Sequence, residues 1–90
     1  MKAGENHVIV SFGSRESAMR YLSRLREAGI PASTRSTPHK IAAGCGLSVS
    51  LPESFLQRAD ALLEAEKLPN RGWWRIRRVG ANQIVSKISI

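Results

Sequence analysis

Ninety residues make one domain with one core and leave no room for a second. A hydrophobic content of 42% is ordinary for a folded chain and excludes a disordered one. The net charge is +7 and unevenly spread: residues 53–66 carry −3, and residues 67–90 hold six basic groups and no acid. That asymmetry suggests an anionic partner for the basic quarter; the alternative is that Arg and Lys keep an exposed sheet edge from pairing.

The first element is a strand. From His7 to Phe12, Val8, Val10 and Phe12 alternate with His7, Ile9 and Ser11. Gly13-Ser14 breaks it. Ser14 is a good N-cap, Glu16 complements the helix dipole, and Ala18, Met19, Leu22 and Leu25 follow at helical spacing. Gly29 and Pro31 close this helix. Residues 31–37 read as a weak edge strand, and residues 37–46 as a loop containing Pro38, His39, Lys40 and two glycines. Leu47, Val49 and Leu51 alternate with Ser48 and Ser50, which predicts a half-buried strand. Pro52-Glu53 opens a second helix with Phe55, Leu56, Ala59, Leu62 and Leu63 as its apolar stripe, and Leu68-Pro69-Asn70 stops it. Trp73 to Val79 is the last strand of the 7–79 domain. It sets Trp74 and Ile76 on one face and Trp73, Arg75 and Arg77 on the other. Residues 80–90 form a β-prone tail that adds a strand, packs on a neighbour or stays free.

The order β-α-β-β-α-β predicts an α+β fold of the ferredoxin-like split βαβ type. Four antiparallel strands would carry two helices on one face and leave the other face open.

Cys45 stands between Gly44 and Gly46 and is the one cysteine of the chain, so no intramolecular disulfide is possible. Flanking glycines let the backbone bend and approach a partner closely. A solvent-facing thiol in such a loop can accept, hold and pass on a group; a buried one is an inert core filler. His39, six residues before Cys45, has nothing in the sequence to orient it as a base and reads as an exposed loop residue. One cysteine and two histidines, without a paired-cysteine motif, fall short of a structural zinc site, and no cofactor motif is present.

Several of these features together resemble the selenium/sulfur carrier-like family, small bacterial domains largely without assigned function. They are the strand running into Phe12 and Ser14, the helix with Ala18, and Gly29-Ile30-Pro31. Pro38 followed by a basic residue, Gly44-Cys45-Gly46-Leu47, and the aromatic and basic residues before Ile76 complete the match. In that family the basic residue after the proline is usually arginine; His39-Lys40 stands there in this chain, and lysine lacks the planar fork that holds an anion at two points. The resemblance implies that Cys45 carries sulfur or selenium between donor and acceptor proteins. Gly44 and Gly46 would then shape the loop, and Lys40 and Arg35 would favour the thiolate, with no acid between Ala28 and Pro52 to oppose them. A carrier of this kind is not strictly an enzyme.

Two rival readings stay open. Trp73, Arg75 and Arg77 on an open sheet face, joined by His7, Ser11, Ser48 and Ser50, would bind nucleic acid by stacking and phosphate contacts. Against this, the chain lacks the aromatic-rich central strands of RNA-binding domains of this shape. Alternatively, the edges and the tail would pair two copies into a homodimer or receive a partner strand. Polar Met1–Asn6 does not resemble a secretory leader, and no segment reaches the ~20 apolar residues of a membrane span, so a reducing cytoplasm is the expected location.

Overall fold

The computed structural model describes residues 6–38 and 46–89. The elements in chain order are β1 (His7–Phe12), α1 (Arg15–Glu27), β2 (Ser33–Ser36), β3 (Leu47–Pro52), a 3-10 turn (Glu53–Phe55), α2 (Leu56–Glu66), β4 (Trp73–Val79) and β5 (Asn82–Ile88). All strand pairings are antiparallel, and the sheet order is β2-β3-β1-β4-β5. The fold is therefore α+β with two helices and an antiparallel sheet of five strands, not the four expected. The tail supplies the fifth. Val79 pairs with Asn82 across Gly80-Ala81, a two-residue loop in which Gly80 alone takes a left-handed φ of 62°. That is the type II′ pattern, whose twist suits a hairpin and favours glycine at the first loop position.

Helix α1 starts where Ser14 leaves extended backbone and its hydroxyl accepts from Ser17 N at 3.3 Å. It ends at Ala28 and Gly29 (φ 79°), with Ile30 N donating to Leu25 O at 2.9 Å. Its buried stripe is Ala18, Tyr21, Leu22 and Leu25. Met19, expected in that stripe, is 45% exposed, and Tyr21 takes its place. The Tyr21 hydroxyl donates to Ala59 O at 2.6 Å, which satisfies its polar tip and joins the two helices. Burial, with Asp60 nearby, pushes the Tyr21 phenol well above its ordinary pKa of 10.0. Helix α2 begins after the short 3-10 turn and stops at Lys67, which adopts a left-handed φ of 53°, before Leu68-Pro69 is reached.

The core lies between the helices and one sheet face. Val8, Val10 and Phe12 of β1, Val49 and Leu51 of β3, and Trp73 of β4 pack there against Tyr21, Leu25, Ala59 and Leu63. β2 is an edge strand, as its polar composition and Pro31 just before it predict. The second sheet face is not bare. Ile9, Ser11 and Ser48 have no exposure and Ile76 has 2%.

Candidate functional site

Gly44, Cys45, Lys40 and His39 lie outside the described residues. The two chain ends that hold this segment are described. Thr37 N donates to Gly46 O at 3.1 Å, and the Thr37 and Ser48 hydroxyls share a buried hydrogen bond of 2.7 Å. A Cβ on Gly46 would lie 3.1 Å from Thr37 Oγ1 and 3.6 Å from Phe12 O. Glycine at 46 is thus favoured by close approach, since a Cβ there would require the Thr37 side chain to shift. The segment carrying Cys45 leaves and re-enters the sheet at this clamp.

The same end of the sheet collects positive charge from parts distant in sequence. The N-terminus of α1 lies just past Phe12, where the helix dipole is positive. Arg71 N donates to Ser11 O at 2.7 Å, which brings the start of β4 alongside. A Cβ on Gly13 would lie 3.3 Å from Arg71 Nη2, so the guanidinium rests on bare backbone beside the helix start. Lys87 Nζ lies 4.6 Å from the centre of the Trp74 ring and donates to Arg71 O at 3.3 Å. Gly13, Ser14, Ser17, Pro69, Asn70 and Arg71 line a shallow cleft here. Sequence reasoning did not find Arg71 or Lys87. Only the strand register brings them to this end.

Arg35 goes the other way. It is rooted opposite Ser48, near the clamp, but its Nη1 lies 3.0 Å from His7 Nε2, at the opposite end of β1. Its side chain therefore crosses the row formed by Ser50, Ile9 and Trp74. Its head lies away from the Thr37–Gly46 clamp, and the loop whose thiolate it was expected to favour lies outside the described residues. His7 is held below its ordinary pKa of 6.5, first by burial and then by the charges of Arg35 and Arg78. Arginine can only donate, so His7 Nε2 is the acceptor and Nδ1 carries the proton.

The expected open-face set is corrected. Trp73, Arg75 and Arg77 belong to the helix-covered face, because Trp73 pairs with Val10 and Arg75 with Val8, both core residues. Trp73 is 4% exposed, meets Tyr21 edge-on at 6.5 Å between ring centres, and donates from Nε1 to Asp60 Oδ1 at 3.0 Å. Arg75 is engaged by Glu53, with Nε 2.9 Å from Oε2. That bond holds the Glu53 carboxyl below its usual range. Arg77 pairs with Ile84 at an exposed position of the same face, farther along the strand. The residues that do share the second face are His7, Ile9, Ser11, Ser33, Arg35, Ser48, Ser50, Pro52, Trp74, Ile76, Arg78, Gln83, Val85 and Lys87. Of those expected there, His7, Ser11, Ser48 and Ser50 are in place. The buried atoms Ser11 Oγ and Trp74 Nε1 have no hydrogen-bond partner among the described residues.

Among the described residues no cluster of three or more His, Cys, Asp or Glu side chains comes together to hold a metal ion. No described helix is long and apolar enough to cross a membrane.

Among proteins with curated descriptions, none matches this chain. A solved structure of a functionally unknown protein from Pediococcus pentosaceus is similar over 98% of this chain and 96% of its own, at 11% identity and a TM-score of 0.49. Residues 7–75 match the family described as "Putative Se/S carrier protein-like". That span runs from the first residue of β1 into β4 and takes in Gly44-Cys45-Gly46, so this chain belongs to that family of selenium/sulfur carrier-like proteins.

Proposed function

We propose that this domain is a sulfur or selenium carrier whose working group is the Cys45 thiol. The observation that carries the reading is the family match over residues 7–75, which includes the Gly44-Cys45-Gly46 stretch. The Thr37–Gly46 clamp supports it, since it anchors that stretch where the α1 N-terminus, Arg71 and Lys87 gather positive charge. Positive surroundings favour a thiolate, the reactive form. Lys40, from the same segment, adds a further cation in this reading, and Gly44 and Gly46 shape the loop. Arg71 and Lys87 take the part first given to Arg35.

The transfer is a thiol–persulfide exchange. The Cys45 thiolate attacks the terminal sulfur of a donor protein's persulfide. A new S–S bond forms at Cys45, the donor's S–S bond breaks, and the donor leaves as a thiolate. Delivery to an acceptor repeats the exchange in the other direction. A selenium atom would travel in the same way as a selenosulfide. The domain needs no cofactor for this, works between two partner proteins in the cytoplasm, and turns over nothing of its own. We also read the first four strands and two helices as the ferredoxin-like split βαβ unit, with β3 set between β2 and β1 and with β5 added at the β4 edge.

The test is alkylation of the native protein across pH, followed by intact mass after incubation with a cysteine desulfurase and cysteine. The expected result is fast labelling with an apparent pKa below the free-cysteine value of about 8.5. A mass gain of one sulfur atom, lost on reduction and absent in Cys45→Ser, is expected with it. Cys45→Ser should remain folded. Labelling that appears only after denaturation, or a Cys45→Ser variant that unfolds, would make the cysteine structural and end the reading.

A further inference from the structure

We propose that His7, Arg35 and Arg78 form a binding site for a phosphate-type oxyanion on the second sheet face, at the N-terminal end of β1. This site is separate from Cys45. The clamp lies at the Leu47–Phe12 row and the cluster at the Pro52–His7 row, five residues farther along β3, or about 17 Å at ordinary strand rise.

The argument rests on how Arg35 is held. Arg75 is partly neutralised by Glu53, and Arg24 by Glu27 and Glu66, while Arg26 and Arg58 donate to the Ala32 and Ala28 carbonyls at exposed positions of the helices. Arg35 is fixed by an uncharged acceptor, the Nε2 atom of His7 at 3.0 Å. Such a contact orients the guanidinium without cancelling its charge and spends one of its five N–H donors. The ring is kept neutral by burial and by the two guanidinium charges beside it, Arg35 and Arg78. Arg78 stands on β4 two residues beyond Ile76, the residue opposite His7, on the same face, and its charge acts on the ring from that side.

Nothing described on this face opposes these charges. The acids among the described residues are Glu16 and Glu27 on α1, Glu53 on the 3-10 turn, and Asp60, Glu64 and Glu66 on α2. The second-face positions of all five strands carry no carboxylate. Two like charges thus act on one imidazole with no counter-ion among the described residues of their face. Bringing cations close costs free energy that a bound anion returns. The hydroxyls of Ser33 and Ser50 belong to the next row. Guanidinium forks, an imidazole N–H and hydroxyls suit a tetrahedral oxyanion better than a planar or soft ligand.

The phosphate group has two possible sources: a free phosphate or phosphomonoester, and the backbone of a nucleic-acid strand. The experiment is amide and side-chain NMR of the full chain, titrated with inorganic phosphate against sodium chloride of equal ionic strength. A second titration uses a short single-stranded oligonucleotide. The expected result is saturable movement of the His7 ring and the Arg35 and Arg78 side-chain signals with phosphate and not with chloride. Arg35→Gln should weaken binding about tenfold or more, and Cys45→Ser should leave it unchanged. Oligonucleotide binding that displaces phosphate and falls steeply with salt assigns the site to a phosphodiester strand; phosphate binding that the oligonucleotide leaves untouched assigns it to a free phosphate. Signals that move no more with phosphate or oligonucleotide than with chloride overturn the proposal, as does binding that survives Arg35→Gln. Should Arg35→Gln fail to fold, exposed Arg78→Gln carries the same test, with the same weakening expected. Because Cys45→Ser leaves this site intact, its failure and the failure of the carrier reading are distinguishable.

Discussion

Trp73 and Asp60 are joined by a hydrogen bond of 3.0 Å from the indole Nε1 to Oδ1, which ties the first residue of β4 to α2. The indole ring itself is in the core, against Tyr21. One side chain therefore supplies both packing and a polar link between sheet and helix layers. Trp74, its neighbour, lies on the other face under Lys87.

The two tryptophans should respond differently to substitution. Trp73→Ala should cost roughly 3–5 kcal/mol, the range for a large aromatic lost from a core. Trp73→Phe keeps a ring but removes the donor to Asp60 and should cost about 1–3 kcal/mol. Trp74→Phe also removes an indole N–H, but one with no partner among the described residues, and should cost less than Trp73→Phe. Urea unfolding of the variants checks the order. Equal losses for the two Phe variants would contradict it.

Tyr21 makes the domain sensitive to alkali. Its phenol is raised above 10.0 by burial and by Asp60, so the folded chain keeps a proton that the unfolded chain releases. In the window above about pH 10 the folded state binds more protons, and stability must fall as pH rises. Tyr21→Phe should cost about 1 kcal/mol at neutral pH, for the bond to Ala59 O, and should flatten this loss. Phenolate absorbance should appear together with unfolding. Its appearance in the folded protein near pH 10 would refute the assignment.

Two groups act at the acid end, in separate windows. His7 has a folded pKa below 6.5, so the unfolded chain takes up its proton first and stability falls as pH drops from about 6.5 downward. Glu53 has a folded pKa below 4.5, because Arg75 bonds to its carboxylate. Its contribution is present above the unfolded value and is lost as pH falls through the folded one. His7→Gln should therefore remove the loss that sets in as pH drops through about 6.5 and leave the Glu53 loss in place. Glu53→Gln should do the reverse. Urea midpoints for both variants across pH test this, and interchange of the two effects would be a clear failure.

Gly46 and Thr37 should be energetically coupled. Gly46→Ala puts a Cβ 3.1 Å from Thr37 Oγ1, and the neighbour must yield. The substitution should destabilise the wild-type background and cost measurably less in Thr37→Ala, where that atom is gone. A double-mutant cycle reads the coupling, expected at about 0.5 kcal/mol or more. Strict additivity would mean that the contact does not constrain the clamp.

Period-2 and period-3.6 patterning located β1, α1, β3, α2 and β4, because their apolar residues recur at those spacings. It could not say which set of β4 residues faces inward. Trp73, Arg75 and Arg77 alternate with Trp74, Ile76 and Arg78, and both sets hold apolar and basic groups. The pairing of Val10 with Trp73 decides the matter, and pairing is a long-range fact. The sequence reading puts Met19 in the stripe for a related reason: either residue fits a helical stripe locally, and the core rings and the Ala59 carbonyl that receive Tyr21 come from distant elements. Cys45 was visible in the sequence as a glycine-flanked cysteine, and it lies outside the described residues. The positive charge at the clamp end was not legible, since Arg71, Lys87 and the start of α1 meet only through topology.

The Thr37–Gly46 hydrogen bond makes the segment between them an exchangeable cassette. With both ends fixed to the sheet, a longer insert changes only the entropy of closing a loop, and doubling its length costs about 0.6 kcal/mol. Strand register, core and helices need not respond. A lineage of such domains can therefore retune what position 45 meets, by length and by side chain, while the scaffold beneath stays as it is.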